Sequence, residues 1–300
     1  MKKFVITAVL LQIFFGYSVT SGGKTGWLIF RKVHSPRPKP LTIVAAIRGD
    51  ISGILYNPSV LATIQQKEVF TIADFGLAGD NLLGLIYGHP LSKSGITAGL
   101  LNYNIGKEKI YWIETGNEKS DEVTLQNDYL GFISYGRYLS DNIALGLTTK
   151  FAKTQLVEAV DSFAYCIDIG GSYFYNKLVF SLALQNLGKS EKFLDKEEKL
   201  PTSVYLAFGY GDELLSLGRV GYMVGIDMSY IVEEGRFTSG LAVEVIRSPV
   251  SLFLGYRLGV DEGFFNVGIA LSIKNFEIGY AFIPSLFLNP SHRIFLGFKF

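Results

Sequence analysis

The chain has 300 residues, 48% of them hydrophobic and 14% aromatic, with only 18% charged, which is apolar for a soluble domain. A formal net charge of +1 excludes the strongly basic surface of a nucleic-acid binder, and a single cysteine, Cys166, excludes an intramolecular disulfide. Beyond the N-terminal run, no stretch approaches the roughly 18 apolar residues of a membrane helix, so the choice is between a large soluble core and a lipid-facing barrel wall.

The N-terminus reads as a secretory signal peptide over residues 1–21. Lys2 and Lys3 precede an apolar run at 4–15, and Val19, Thr20 and Ser21 supply small residues for cleavage. The run Gly22, Gly23, Lys24, Thr25 resembles the end of a phosphate loop, but that pattern needs a glycine at position 18, where Ser18 stands. Residues 22–66 form a different regime. Pro36, Pro38 and Pro40 are expected to prevent regular strand or helix over 35–41. Residues 51–62 then gather apolar side chains around Asn57, Pro58 and Ser59. A segment like this before a barrel is expected to fold into the lumen as a hatch.

From residue 67 to 300 the chain reads as about fourteen strands, near 68–76, 82–89, 94–104, 128–138, 142–153, 161–174, 177–187, 201–211, 220–231, 235–246, 249–259, 263–274, 275–284 and 291–300. Side chains alternate across a strand, and here the alternation separates charge from grease. One row holds Val220, Tyr222, Val224, Ile226, Met228 and Tyr230; later rows hold Leu252, Leu254, Tyr256, then Val267, Ile269, Leu271, then Phe276, Ile278, Tyr280. None is charged. Opposite them stand Asp227, Arg257, Lys274 and Glu277 among glycines. The last strand follows suit, with Ile294, Leu296, Phe298 and Phe300 on one face, as in the closing strand of a bacterial outer-membrane barrel.

A soluble sandwich would alternate too, with its apolar face inward. The connections favour the barrel: long ones at 105–127, 154–160, 188–200 and 285–290 alternate with turns at 140–142, 175–177, 247–249 and 274–275, apart from a medium turn at 212–219. Short turns on one side and longer loops on the other are the asymmetry of outer-membrane barrels. Closure also removes the edges that a long open sheet exposes. The fold class expected is therefore all-β: a closed antiparallel transmembrane barrel of about fourteen strands with an N-terminal hatch in its lumen.

Several segments carry a family resemblance. Residues 22–26 (GGKTG), followed by Phe30, Arg37, Asp50 and the run 56–62 (YNPSVLA), resemble the start of the PorV/PorQ family within the FadL-like outer-membrane barrels. Ser59-Val60 replaces that family's usual Ala-Gly, and Thr42-Ile43 stands where a glycine pair is common. The runs 182–188 (LALQNLG), 252–259 (LFLGYRLG) and 292–300 (HRIFLGFKF) are similar to later segments of the family. The resemblance implies a non-enzymatic role in secretion and surface attachment of cargo proteins, as in type IX secretion. The broader FadL-like resemblance implies an alternative, a channel for long-chain fatty acids or other hydrophobic compounds. A purely structural barrel is the third class.

No catalytic, cofactor or metal constellation is present in the sequence. His34, His89 and His292 lack metal-ligand spacing, and no serine lies in G-x-S-x-G. The acidic and basic clusters at 118–122 and 191–199 read as solvated outer loops. The candidate lumen lining is Lys150, Asp168, Asp227, Glu244, Arg257, Glu277 and Lys299, which would either pair internally and hold the hatch or contact a polar head group. The lumen glycines would relieve curvature or leave room for the hatch. The expected location is the bacterial outer membrane, with its lipid and barrel assembly machinery as partners, and with secreted cargo or a hydrophobic small molecule as the further partner.

Overall fold

The computed structural model describes residues 25–32, 35–76, 79–114, 117–193, 196–212, 220–261 and 263–300. The signal-peptide expectation and His34 lie outside the described residues.

Period-two alternation produces the expected wall. The barrel strands are β1 (Glu68–Phe75), β2 (Asn81–Leu91), β3 (Ser94–Asn104), β6 (Gln126–Tyr138), β7 (Ile143–Leu156), β8 (Val160–Tyr175) and β9 (Leu178–Ser190). The wall continues through β12 (Ser203–Asp212), β13 (Gly221–Ile231), β14 (Arg236–Arg247), β15 (Val250–Leu258), β16 (Phe265–Ile273), β17 (Phe276–Ile283) and β18 (Ser291–Lys299). Every neighbouring pair is antiparallel, and β1 pairs with β18 from Glu68↔Lys299 to Phe75↔His292, closing a fourteen-stranded barrel.

The faces fall as the alternation requires. Leu252, Leu254, Val267, Ile269, Phe276 and Ile278 lie exposed on the outer surface, as do Ile294, Leu296 and Phe300, with Phe298 half-buried between aromatic neighbours. Such a surface is stable against acyl chains and not against water. Cys166 is buried within β8 as a free thiol.

Two expectations about connections are corrected. The segment 105–127 is not an irregular loop: β4 (Lys107–Glu114) and β5 (Asn117–Thr124) pair as a hairpin projecting beyond the barrel between β3 and β6. Nor is 154–160 a long connection, because β7 and β8 pair as far as Leu156↔Val160 around a turn at 157–159. Two residues each of β10 (Lys192–Phe193) and β11 (Lys196–Glu197) pair within the connection from β9 to β12. Turns at 92–93, 176–177 and 274–275 define the opposite, turn end, and Lys274 sits in its turn with φ +52° rather than on a strand face.

The N-terminal segment runs through the lumen. It starts at the loop end, where the Thr25 hydroxyl donates to Glu234 (2.7 Å), and leaves at the turn end to begin β1. A 3-10 turn at Leu28–Phe30 precedes α1 (Lys39–Val44), and further turns form at Ala45–Arg48, Ile51–Gly53 and Pro58–Thr63. The expectation of no regular structure over 35–41 is thus corrected for α1. Pro40 occupies the helix's first turn, where the missing N–H has no intrahelical partner to lose. Leu41, Ile43, Val44, Ile51, Val60 and Leu61 are fully buried and form the core.

Lumen glycines make room for this hatch. A Cβ on Gly225 would come within 2.8 Å of the Pro40 carbonyl oxygen, and one on Gly136 within 2.6 Å of the Pro58 oxygen. Wall and hatch touch backbone to backbone there. Gly225→Val is expected to displace α1, which proteolysis of residues 39–44 in the folded, lipid-embedded protein would reveal. Ile269→Arg, at the outer face, should cost about 2–4 kcal/mol, measured by urea unfolding in lipid vesicles.

Candidate functional site

The Asn-Pro-Ser motif is a capped turn fastened to the wall. The Asn57 side-chain oxygen accepts from the Ser59 amide (3.0 Å) and hydroxyl (2.7 Å), so it caps the turn at Pro58–Thr63, with Pro58 in its first position. The Asn57 amide group donates outward to the carbonyl oxygen of Gly171 on β8 (3.1 Å). The Ser59 and Ser172 hydroxyls lie 2.7 Å apart. Asn57, Pro58 and Ser59 thus meet the same stretch of wall, where Gly170 leaves no room for a Cβ beside Asn57.

A second fastening centres on Arg37, which is 1% exposed. Its guanidinium meets Asp50 at 3.2 Å within the hatch, Glu244 of β14 at 3.3 Å and Glu277 of β17 at 2.5 Å, and it stacks over the Phe295 ring. Burial opposes the charge, but Glu244, Glu277 and Asp50 outweigh it and hold the pKa well above the ordinary arginine value. Asp50 also caps the turn at Ile51–Gly53 by accepting from the Ser52 amide (2.7 Å). One hatch cation therefore joins two wall strands.

The other candidate lining residues divide. Lys150 bonds Asp168 at 2.6 Å and Asn186 at 3.0 Å, a wall-to-wall arrangement. Asp227 faces the hatch, 3.9 Å from the Lys39 amine. Lys39 lies over the rings of Tyr205 and Tyr56; burial and nearby Arg257 push its pKa down to about 8 against the pull of Asp227. Arg257 has no ion pair among the described residues, and neither has Lys299, which stands across from Glu68 at the seam. Arg37, Lys39, Tyr56 and Tyr205 were not among the sequence-derived site residues. The signal for the first two was sign complementarity: two cations in the hatch against Asp227, Glu244 and Glu277 in the wall.

Above the hatch lies a cavity of about 460 Å³, within the range of small-molecule sites. Leu55, Tyr56, Lys39 and Arg257 line its inner part, and Glu234, Arg236 and Asp261 line it toward the loop end. Phe30, Tyr103, Lys150 and Gln185 complete much of its side. The strap around residues 25–32 is tied across this end: Arg31 bonds Glu234 at 2.7 Å, the Ile29 amide donates to Asp128 at 3.2 Å, and Lys32 pairs with Asp80. A larger depression of about 710 Å³, lined by Leu145, Ile169, Leu182 and Phe208, lies on the apolar outer wall. It belongs to the lipid face.

Solved structures share this arrangement of strands. The toluene transporter TodX of Pseudomonas putida superposes with a TM-score of 0.55 at 12% identity, over 95% of this chain and 99% of that one. The chain shares that barrel fold. The CymD monoaromatic hydrocarbon channel gives a TM-score of 0.54 at 9% identity, over 83% of this chain and 92% of that one. A FadL homologue of Pseudomonas aeruginosa gives 0.52 at 9% identity, covering 95% and 99%. The FadL-like part of the sequence resemblance thus agrees in fold, whereas the PorV/PorQ part has no counterpart among these structures. No protein-family model and no curated protein matches the chain.

Arg37→Met would strand three carboxylates around one site. The expected cost is about 3–5 kcal/mol, read by urea unfolding of the barrel in lipid vesicles. Asn57→Ala should remove a cap worth about 1 kcal/mol and speed hydrogen exchange at the Ser59 and Val60 amides, with the wall amides unaffected.

Proposed function

We propose that the protein is a non-enzymatic outer-membrane channel that admits a small, largely apolar compound from its loop end and passes it inward past the hatch. The observation that carries this reading is the cavity above the hatch, which opens toward the loop end and stops on Lys39, Leu55 and Tyr56. Beneath it the lumen is filled by fully buried Leu41, Ile43, Val60 and Leu61, so passage requires the hatch to shift. Polar fastenings, Asn57 to β8 and Arg37 to β14 and β17, add to the apolar packing of the hatch on the wall, and both must give for it to move. The likeness to a toluene transporter and a monoaromatic hydrocarbon channel supports the same reading. Residues 1–21 then serve as the cleaved export signal, residues 22–66 as the hatch and 67–300 as the membrane barrel.

A second reading, cargo attachment in a secretion system of PorV/PorQ type, has one observation in its favour. The β4–β5 hairpin projects from the loop end with Tyr111, Trp112 and Ile113 exposed. Under that reading, deleting residues 107–124 would strip secreted proteins from the cell surface while leaving small-molecule uptake intact.

The channel reading is tested by locking the hatch. The Ser59 and Ser172 hydroxyl oxygens are 2.7 Å apart, so the double variant Ser59→Cys, Ser172→Cys can be oxidised to fasten hatch to wall. Uptake of a labelled small aromatic tracer, neutral (toluene) or anionic (benzoate), into proteoliposomes should stop on oxidation and return on reduction. Uptake at the same rate in both states would overturn passage through a moving hatch.

A further inference from the structure

The cavity above the hatch has more positive than negative charge. Six cationic side chains line it: Arg31, Lys32, Lys39, Lys150, Arg236 and Arg257. Four have a carboxylate each, in the pairs Arg31–Glu234, Lys32–Asp80, Lys150–Asp168 and Arg236–Asp261. The remaining two have only Asp227 between them. It lies 3.9 Å from the Lys39 amine, and the Arg257 guanidinium makes no ion pair or hydrogen bond among the described residues.

The register of the wall explains the shortfall. Asp227 on β13 is opposite Gly240 on β14, and Gly240 is opposite Arg257 on β15. The two charged residues are therefore two strand spacings apart, roughly 9.6 Å, with a glycine between them. Lys39 reaches the same row from the hatch, over the rings of Tyr205 (4.1 Å) and Tyr56 (5.2 Å). Two cations thus face one partly enclosed space, and taking them from water is costly without matching negative charge. An arginine fork is suited to a planar oxyanion, to which it can donate two parallel hydrogen bonds.

We propose that Arg257 and Lys39 bind the anionic group of a compact organic acid, so that the compound admitted to this lumen carries a negative charge. The rings of Phe30, Tyr56 and Tyr103 would face its body. Ser203, Ser229 and Thr238, also in the lining, add hydroxyl groups that suit the oxyanion end of such a compound better than a long alkyl chain. The transport consequence rests on the channel reading above; the binding site does not.

The test is equilibrium binding of labelled benzoate to the purified full-length protein in detergent, with toluene and inorganic phosphate as competitors and transport measured separately in proteoliposomes. Benzoate should bind at one site, and toluene should not displace it. Arg257→Met should weaken benzoate binding at least tenfold, and Arg257→Lys should restore only part of it, since an ammonium keeps the charge but not the fork. Asp227→Asn should tighten binding several-fold, since it removes the carboxylate that competes for Lys39. Binding should weaken as pH rises through about 8, where Lys39, facing Asp227, Arg257, Tyr56 and Tyr205, loses its proton. Circular dichroism of each variant checks that the barrel is folded. The proposal falls if Arg257→Met and Asp227→Asn leave affinity unchanged, if toluene displaces benzoate, or if phosphate binds as tightly with the same dependence on Arg257. Benzoate bound but never transported would overturn the channel reading and leave the site standing; toluene transport without benzoate binding would do the reverse.

Discussion

A closed sheet whose outer surface must be free of charge has to place its polar side chains inward, and inside a barrel they have little water to solvate them. Each interior charge then needs a partner, whether from the wall or from whatever fills the lumen. The hatch answers much of that demand. Arg37 satisfies Glu244 and Glu277 together, and Lys39 approaches Asp227. The wall's carboxylates and the hatch's cations therefore belong to one electrostatic arrangement, although the Arg37 pairs span 207 and 240 residues of chain.

The barrel was legible in the sequence because membrane geometry imposes two periodic signals at once. In β13, β15 and β16 the even or odd positions are apolar without exception near mid-strand, and charge such as Asp227 and Arg257 falls only on the opposite face. Hence all fourteen wall strands could be read within a few residues. The β4–β5 hairpin escaped because it obeys neither signal. It packs on no core, so Ile110, Tyr111, Trp112 and Ile113 run consecutively without alternation and face charged or polar residues on β5. A ribbon exposed on both faces has no buried side to set a period.

The hatch was legible as a unit but not in its contacts. Three prolines suggested irregular chain, yet Pro40 stands where a helix tolerates it. Asn57-Pro58-Ser59 could be recognised as a turn, but its attachment to Gly171 and Ser172 depends on the path of the chain through the lumen. The glycines at 136, 225 and 255 read equally as relief of curvature. Only their nearness to the backbone of Pro58 and to Pro40 and Pro38 shows that they also serve as seats. Long-range pairing leaves little trace in local pattern, so Arg37 stood out only through a resemblance and Lys39 not at all.

The path of the N-terminal segment makes it captive to the closed wall. The segment is enclosed by a ring whose seam joins the first wall strand to the last, Glu68 to Lys299, and its anchors lie on β8, β14 and β17, on opposite sides of that ring. Wall and segment meet backbone to backbone at Pro40 and Pro58. Once β1 pairs with β18 the segment is ringed on every side, so its withdrawal requires the anchors on β8, β14 and β17 to part together.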